Sequence, residues 1–231
     1  MTHRFVVGKD LTLSADQARQ ISSVLRLGPG DEIVLLADGQ EVEYRLEQVS
    51  ATAATGTVLR RRHSDAEPRV RLVLALPLLR GEHSELVLES ATQLGVARFV
   101  PYTASRSVVR ELGNEKRRRW ERIVREAVET SRRARVPEIA PVMRWETLFE
   151  ELEGDTIVAW EEERLTRLGD AVPRDPEAVS LVIGPEGGLT ADEIALAVRT
   201  GAAVVSLGRR PLRAETAAIA AVAELMAALD R

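Results

Sequence analysis

Two short loops in this chain carry residue types suited to holding a ligand. The first, Gly184-Pro185-Glu186-Gly187-Gly188-Leu189, directly follows the apolar run Ser180-Leu181-Val182-Ile183. Three glycines there let the backbone approach a ligand closely. The second, Gly208-Arg209-Arg210-Pro211-Leu212-Arg213, follows Val204-Val205-Ser206-Leu207 and leads into Ala214-Glu215-Thr216-Ala217. Arginines beside a helix start add to backbone N–H groups that already favour anions. Neither loop is a P-loop, because the Gly-Lys-Ser/Thr ending is missing, and neither is the Gly-x-Gly-x-x-Gly dinucleotide turn. Plainer readings stand beside these: a tight strand-to-helix connection for the first loop, helix stabilisation for Glu215, and a solvated carboxylate for Glu186.

The loops need elements to hold them. From Val70 onward the chain alternates apolar strands with helices. Strands are expected at Val70–Leu79, Val96–Val100, Thr156–Trp160, Val179–Ile183 and Ala203–Leu207. Helices are expected at Ser84–Leu94, Glu115–Ser131, Ala191–Thr200 and Ala214–Leu229. Strands with unbroken apolar runs are buried on both faces, so this pattern implies a mainly parallel α/β sheet. In such sheets ligands bind at the C-terminal strand edge, where both loops fall. In Glu115–Ser131, Trp120, Ile123, Val124, Ala127 and Val128 form one stripe. The first ~68 residues read differently. Glu32–Leu36 and Val42–Leu46 flank Asp38-Gly39, a hairpin signal, and a third strand is expected at Thr55–Leu59. Ser14-Ala15-Asp16-Gln17 has the spacing of a helix capping box, for a helix through Leu25, and Gly28–Asp31 is a turn. This suggests a small barrel. His63–Pro68 is a linker, giving expected domains 1–68 and 69–231.

Composition narrows the function classes. The chain has 231 residues, 45% hydrophobic and 29% charged, the proportions of a globular protein. No apolar run approaches the ~18–20 residues that a membrane helix needs. Met1–Val7 is too short of apolar residues for a signal peptide, so a cytoplasmic address is expected. There is no cysteine and only 3 histidines, which excludes a thiolate nucleophile and disfavours a metal site. Net charge is −4, yet Arg106–Arg135 holds eleven Arg or Lys against five Glu, and Glu146–Glu163 holds eight acids and no base. Of the basic residues only Lys9 and Lys116 are lysine. That bias suits phosphate contact and equally fits a genome-wide preference.

The two loops, taken as Gly184–Leu189 and Leu207-Gly208-x-Arg210-x-Leu212-Arg213-x-Glu215-Thr216-Ala217, resemble the bacterial 16S ribosomal RNA (uracil-N3-)-methyltransferases of the SPOUT superfamily. Five further segments match in order. His3-Arg4-Phe5 and Val24-Leu25-Arg26-x-x-x-Gly30-Asp31 look like that family's N-terminal RNA-binding domain. Ala91–Val96, with Arg106–Val109 and Arg133-x-x-Val136-Pro137-Glu138, look like its central segments. Pro211 departs from the family's usual Ile or Val; proline fixes φ and removes an N–H, which implies a tighter loop.

The resemblance implies a fold and a reaction. The fold is a PUA-like RNA-binding barrel at 1–68, then a SPOUT domain at 69–231 whose mainly parallel sheet carries a C-terminal trefoil knot. The reaction is S-adenosylmethionine-dependent methylation of N3 of one uridine in the small ribosomal subunit. A homodimer is implied, with each site completed by the partner. Methyl transfer from a sulfonium is an in-line displacement and depends on positioning. Uridine N3 must lose its proton, so a guanidinium beside the flanking carbonyl oxygens is needed; Arg106, Arg133, Arg210 and Arg213 are the candidates. The cofactor is expected on Ile183, Gly184, Pro185, Glu186, Gly187 and Gly188, on Ser206, Leu207, Gly208, Arg210 and Leu212, and on Glu161 after its strand. Arg4, Arg26, Arg117, Arg118 and Arg119 are candidate phosphate contacts, the last three alternatively a helix face paired with glutamates. Two other functions stay open: a SPOUT enzyme acting on transfer RNA, and a non-enzymatic ribosome-assembly factor that binds RNA.

Overall fold

The computed structural model describes residues 3–230; Met1, Thr2 and Arg231, the outermost residues of the expected domains, lie outside it. The described residues group into two units. One holds the residues up to Glu67 together with Arg125–Val136, and the other holds Pro68–Val124 and the residues from Pro137 onward. The stretch 125–136 therefore groups with the N-terminal residues rather than with the rest of 69–231. The reason is local: Val128 and Ala134 are buried against Val6, Val34 and Leu36. Glu67 also accepts hydrogen bonds from the backbone of Ala134 (2.7 Å) and Arg135 (2.8 Å).

The first unit carries one sheet. Its strands are β1 (Arg4–Val6), β2 (Glu32–Ala37), β3 (Gln40–Val49) and β4 (Ala54–His63), in the order β1-β2-β3-β4. β1 runs parallel to β2, and the other pairings are antiparallel. Asp38 and Gly39 turn the β2–β3 hairpin with φ of 50° and 81°, the left-handed pair that suits a two-residue loop. Helix α1 (Ala15–Arg19) starts at the expected capping box, with Ser14 Oγ accepting from Gln17 N, and one wider helical turn continues to Val24. β4 outruns its expected end at Leu59 because Arg60–His63, though exposed, pair with Gln40–Glu43.

The second unit is an α/β sheet in which every pairing is parallel. In chain order it comprises β5 (Arg71–Pro77), α2 (His83–Gln93), β6 (Arg98–Thr103), α3 (Asn114–Ser131), β7 (Glu138–Ile139), β8 (Met143–Arg144), α4 (Trp145–Leu148), β9 (Asp155–Ala159), β10 (Ala178–Ile183), α5 (Ala191–Arg199), β11 (Ala203–Val205) and α6 (Ala214–Leu229). Residues of α3 from Arg125 onward belong to the first unit. The strand order is β11-β9-β10-β5-β6-β7, with β8 also on β6.

Alternate residues of the central strands enter opposite cores. Leu72, Leu74, Leu76, Val179 and Leu181 pack with Val87 and Leu88 of α2, Trp120 and Val124 of α3, and Ala218 and Val222 of α6. Val73, Ala75, Val158 and Val182 pack with Trp145 and Leu148 of α4 and with Ile194 and Ala197 of α5. Apolar residues at successive positions thus serve two faces, which is why β5 and β10 show no polar alternation. Strands after β5 are laid to one side (β6, β7) and later strands to the other (β10, β9, β11). The order reverses between β5 and β10, so a crevice opens at the C-terminal ends of these central strands. No helix among the described residues is long and apolar enough to cross a membrane.

Candidate functional site

Four neighbouring strands deliver their following residues to one cavity of about 690 Å³. β5 supplies Arg80 and His83, and β9 supplies Trp160, Glu161, Glu162 and Arg164. β10 supplies Ile183 to Glu186 and Gly188, and β11 supplies Ser206 to Arg213. The first turn of α6 adds Ala214, Glu215 and Ala217. Both glycine-bearing loops therefore line one space. Its volume lies in the range of roughly 300–1,000 Å³ typical of small-molecule sites.

The first loop is shaped by close contacts. Gly188 has φ of +74°, and a β-carbon there would collide with the Glu161 carboxylate. A β-carbon on Gly187 would stand 2.8 Å from the Arg106 carbonyl oxygen. The Arg106 guanidinium in turn makes a long hydrogen bond, 3.4 Å, to the Gly187 carbonyl. Glu186 accepts the backbone N–H of Arg80 at 3.1 Å, so it ties the loop after β10 to the loop after β5. Below the loop, the Tyr102 hydroxyl donates to the Ile183 carbonyl at 2.5 Å. Burial pushes that phenol well above its ordinary range, so it stays a donor.

The second loop is anchored from the side. β11 ends at Val205 rather than Leu207, because Ser206 leaves the sheet and pairs with the segment after β9. Its N–H donates to the Thr166 carbonyl (2.8 Å) and its carbonyl accepts from Leu168 (3.3 Å). Gly208 has φ of +113°, and no protein atom stands within 4 Å of where a β-carbon would lie. A side chain there would strain the backbone and occupy open space.

Glu193, in the first turn of α5, joins three segments. Its carboxylate accepts from the backbone of Thr190 and Ser105, each at 2.8 Å, and its carbonyl accepts from Trp145 Nε1 at 3.2 Å. Burial works against ionisation, but the backbone N–H groups of Thr190 and Ser105 outweigh it and hold the carboxyl below its usual value. The residue after Ser105 is Arg106, so this carboxylate fixes the loop that packs on Gly187.

The expected site residues fall as follows. Glu161, Ile183, Gly184, Pro185, Glu186, Gly188, Ser206, Leu207, Gly208, Arg210, Leu212 and Arg213 all line the cavity. Gly187 lies behind the lining, against exposed Arg106. Arg133 is not among the lining residues: it belongs to the first unit, is 2% exposed and pairs with Glu67 at 3.1 Å. Its guanidinium is committed to holding that turn. Arg4 begins β1, and Arg26 is exposed with φ of 56°. Arg117 donates to the carbonyls of Ile139 (2.6 Å) and Ala140 (3.1 Å) and pairs with Glu121. Arg119 pairs with Glu82 (2.8 Å) and Glu85 (2.6 Å). Arg118 alone of the three is exposed with no partner among the described residues.

Arg80, His83, Trp160 and Arg164 were missed by the reading from sequence. Nothing in their immediate sequence marks them. They follow β5 and β9, the strands flanking β10, and the edge rule applied to every strand finds them.

The cavity suits S-adenosylmethionine. Ile183, Leu207 and Leu212 are apolar, carboxylates of Glu161, Glu162 and Glu186 suit a cationic sulfonium, and glycine backbone stands at both sides. Among the described residues no cluster of three acidic or histidine side chains is placed to hold a metal ion. A family model described as an RNA methyltransferase domain matches residues 66–226. Curated relatives named "Ribosomal RNA small subunit methyltransferase E" include one from Mycobacterium tuberculosis, 34% identical over 93% of this chain and 85% of that protein. Another from Synechocystis is 33% identical over 100% of this chain and 79% of that protein. The solved structure of the protein of that name from Neisseria gonorrhoeae, bound to S-adenosyl methionine, superposes with a TM-score of 0.87 at 27% identity, covering 98% of each chain.

Proposed function

Because this chain belongs to the RNA methyltransferase family, we propose that it moves a methyl group from S-adenosylmethionine to N3 of one uridine in 16S ribosomal RNA. The observation that carries this reading is the shared cavity: two glycine-bearing turns and two flanking loops meet at the C-terminal ends of β5, β9, β10 and β11.

The residues divide the work. When bound, S-adenosylmethionine supplies a methyl group on a positively charged sulfur. The backbone of Gly184–Gly188 and of Ser206–Leu212 would hold it, with Ile183, Leu207 and Leu212 offering the adenine an apolar slot. Glu161, packed on Gly188, would offer a carboxylate to the cationic end. The uridine must become an anion shared between N3 and its two carbonyl oxygens. Arg106, Arg210 and Arg213 carry permanent positive charge toward those oxygens, and fixed charge in a partly dry site costs no reorganisation during the reaction. Positioning does the rest, since the displacement needs sulfur, methyl carbon and N3 in line.

Other parts of the reading complete it. The first unit is a PUA-like barrel that grips RNA, with Arg4 and Arg26 on phosphates; Arg118, in the second unit, is a separate phosphate contact. The segment around Arg167, bridged to Ser206, is part of a C-terminal trefoil knot. The enzyme works in the cytoplasm as a homodimer whose partner completes each site. Nucleoside mass spectrometry of small subunits from a strain lacking this protein, before and after incubation with it and S-adenosylmethionine, tests the reaction. The expected result is 3-methyluridine restored at one position of 16S RNA. A methylated ribose, a methylated transfer RNA or no product overturns it.

A further inference from the structure

The proposed reaction has an unassigned step, because uridine N3 carries a proton that must leave. Arginines hold no lone pair to accept it. Of the carboxylates lining the cavity, Glu186 accepts the Arg80 backbone N–H and Glu215 stands beside His83; Glu161, packed on Gly188, is assigned above to the cofactor's cationic end. Glu162 is solvent-exposed, and a carboxylate is a weaker base toward an N–H acid than an imidazole.

We propose that His83 takes the N3 proton of the target uridine through its Nε2 atom, held in place by Glu215. The inference rests on the N3-methylation reading above. His83 is the first residue of α2 and lines the cavity. The other two histidines, His3 and His63, belong to the first unit. Its Nδ1 lies 2.9 Å from Oε1 of Glu215, a residue only 8% exposed in the first turn of α6. A carboxylate beside Nδ1 favours the tautomer with the proton on that nitrogen, which leaves the lone pair on Nε2. Nε2 makes no hydrogen bond among the described residues. This is the arrangement of a base oriented by a third group.

The charged surroundings are defined. Arg80 precedes His83 in the same loop, and Arg210 and Arg213 from the loop before α6 and Glu186 from the loop after β10 line the same cavity. Glu82, its neighbour, is held by Arg119, and Lys116 Nζ donates to the Gly81 carbonyl. The step balances. The N3–H bond breaks, its electron pair stays on the ring and the proton passes to Nε2. N3 then bonds to the methyl carbon, and the carbon–sulfur pair leaves on sulfur as a neutral thioether. Solvent later takes the proton from the imidazole.

Single-turnover methyl transfer to small subunits by the full-length protein tests this. His83→Gln can still hydrogen-bond Glu215 but is not a base. Its S-adenosylmethionine affinity by calorimetry stays within about threefold of wild type. Its transfer rate falls about 100-fold, a typical size for a lost general base. The wild-type log rate bends to a plateau with rising pH, whereas the variant's keeps rising linearly. Subunits carrying 5-fluorouridine at the target, whose N3–H is more acidic, shrink the variant's defect at least fivefold. A rate within threefold of wild type, an unchanged bend, or a defect that 5-fluorouridine leaves intact removes His83 from this role. If wild-type protein methylates another atom, the N3 reading itself fails; if it makes 3-methyluridine and the variant is unaffected, only this inference does.

Discussion

Gly188 and the Glu161 carboxylate stand so close that no β-carbon fits between them. One residue follows β10 and the other follows β9, so this contact presses two loops of the cavity together. Gly188→Ala should cost about 1–2 kcal/mol from the left-handed backbone alone and should displace the carboxylate as well. S-adenosylmethionine affinity should fall more than tenfold by calorimetry. Adding Glu161→Ala should recover part of the lost thermal stability, the signature of a direct clash. Gly184→Ala is the control, since its β-carbon would meet Leu189 at an ordinary 3.4 Å with no positive φ.

Arg106 should affect chemistry more than cofactor binding. It contacts Gly187 from outside the cavity lining and is exposed. Arg106→Ala should lower kcat by about 10²–10³, as for loss of one donor to a developing anion, with calorimetric affinity for S-adenosylmethionine within threefold of wild type. Arg106→Lys should not restore the rate, because a point charge does not reproduce the planar fork.

Glu193 should couple stability, acidity and rate. Its carboxyl is held below the ordinary value of 4.5 by backbone N–H groups. A depressed native pKa stabilises the fold above the unfolded value, and that contribution fades as pH falls through the native one. Glu193→Gln should therefore lose about 1–3 kcal/mol at pH 7 in urea unfolding. Below 4.5 the gap to wild type should narrow. Glu193→Ala, which leaves the Ser105 N–H no acceptor on this side chain, should also lower kcat by freeing the loop that carries Arg106.

The three consecutive arginines of α3, Arg117, Arg118 and Arg119, should separate by role. Arg118→Ala should weaken RNA binding and reduce the slope of log affinity against log salt by about 1, as expected for one phosphate contact. Arg117→Ala should instead lower the melting temperature, since the Ile139 and Ala140 carbonyls lose their donors. Filter binding across a salt series, with melting curves, distinguishes the two.

Legibility in the sequence followed burial and local chemistry. α6 was read at its observed limits, with Glu215 in its first turn suiting the helix dipole. α5 was marked by its capping box, Thr190 with Glu193. β7, β8 and α4 carry too few residues for any periodicity, and β1 is three residues held by its pairing with β2. Both glycine loops were visible because positive φ and close approach demand glycine at Gly188 and Gly208. What stayed hidden was pairing at long range. Nothing near Glu193 in sequence points to Ser105, 88 residues away, and nothing near Arg133 points to Glu67. Such contacts depend on which strands become neighbours, and hydrophobic patterning does not specify strand order.

Crystals of the protein soaked in S-adenosylhomocysteine give the most direct test of the central claim. Difference density for one molecule per chain, lying between Gly184–Gly188 and Ser206–Leu212 with its sulfur toward the guanidinium groups, is the predicted result. Density at any other surface, with this cavity left to solvent, contradicts the account.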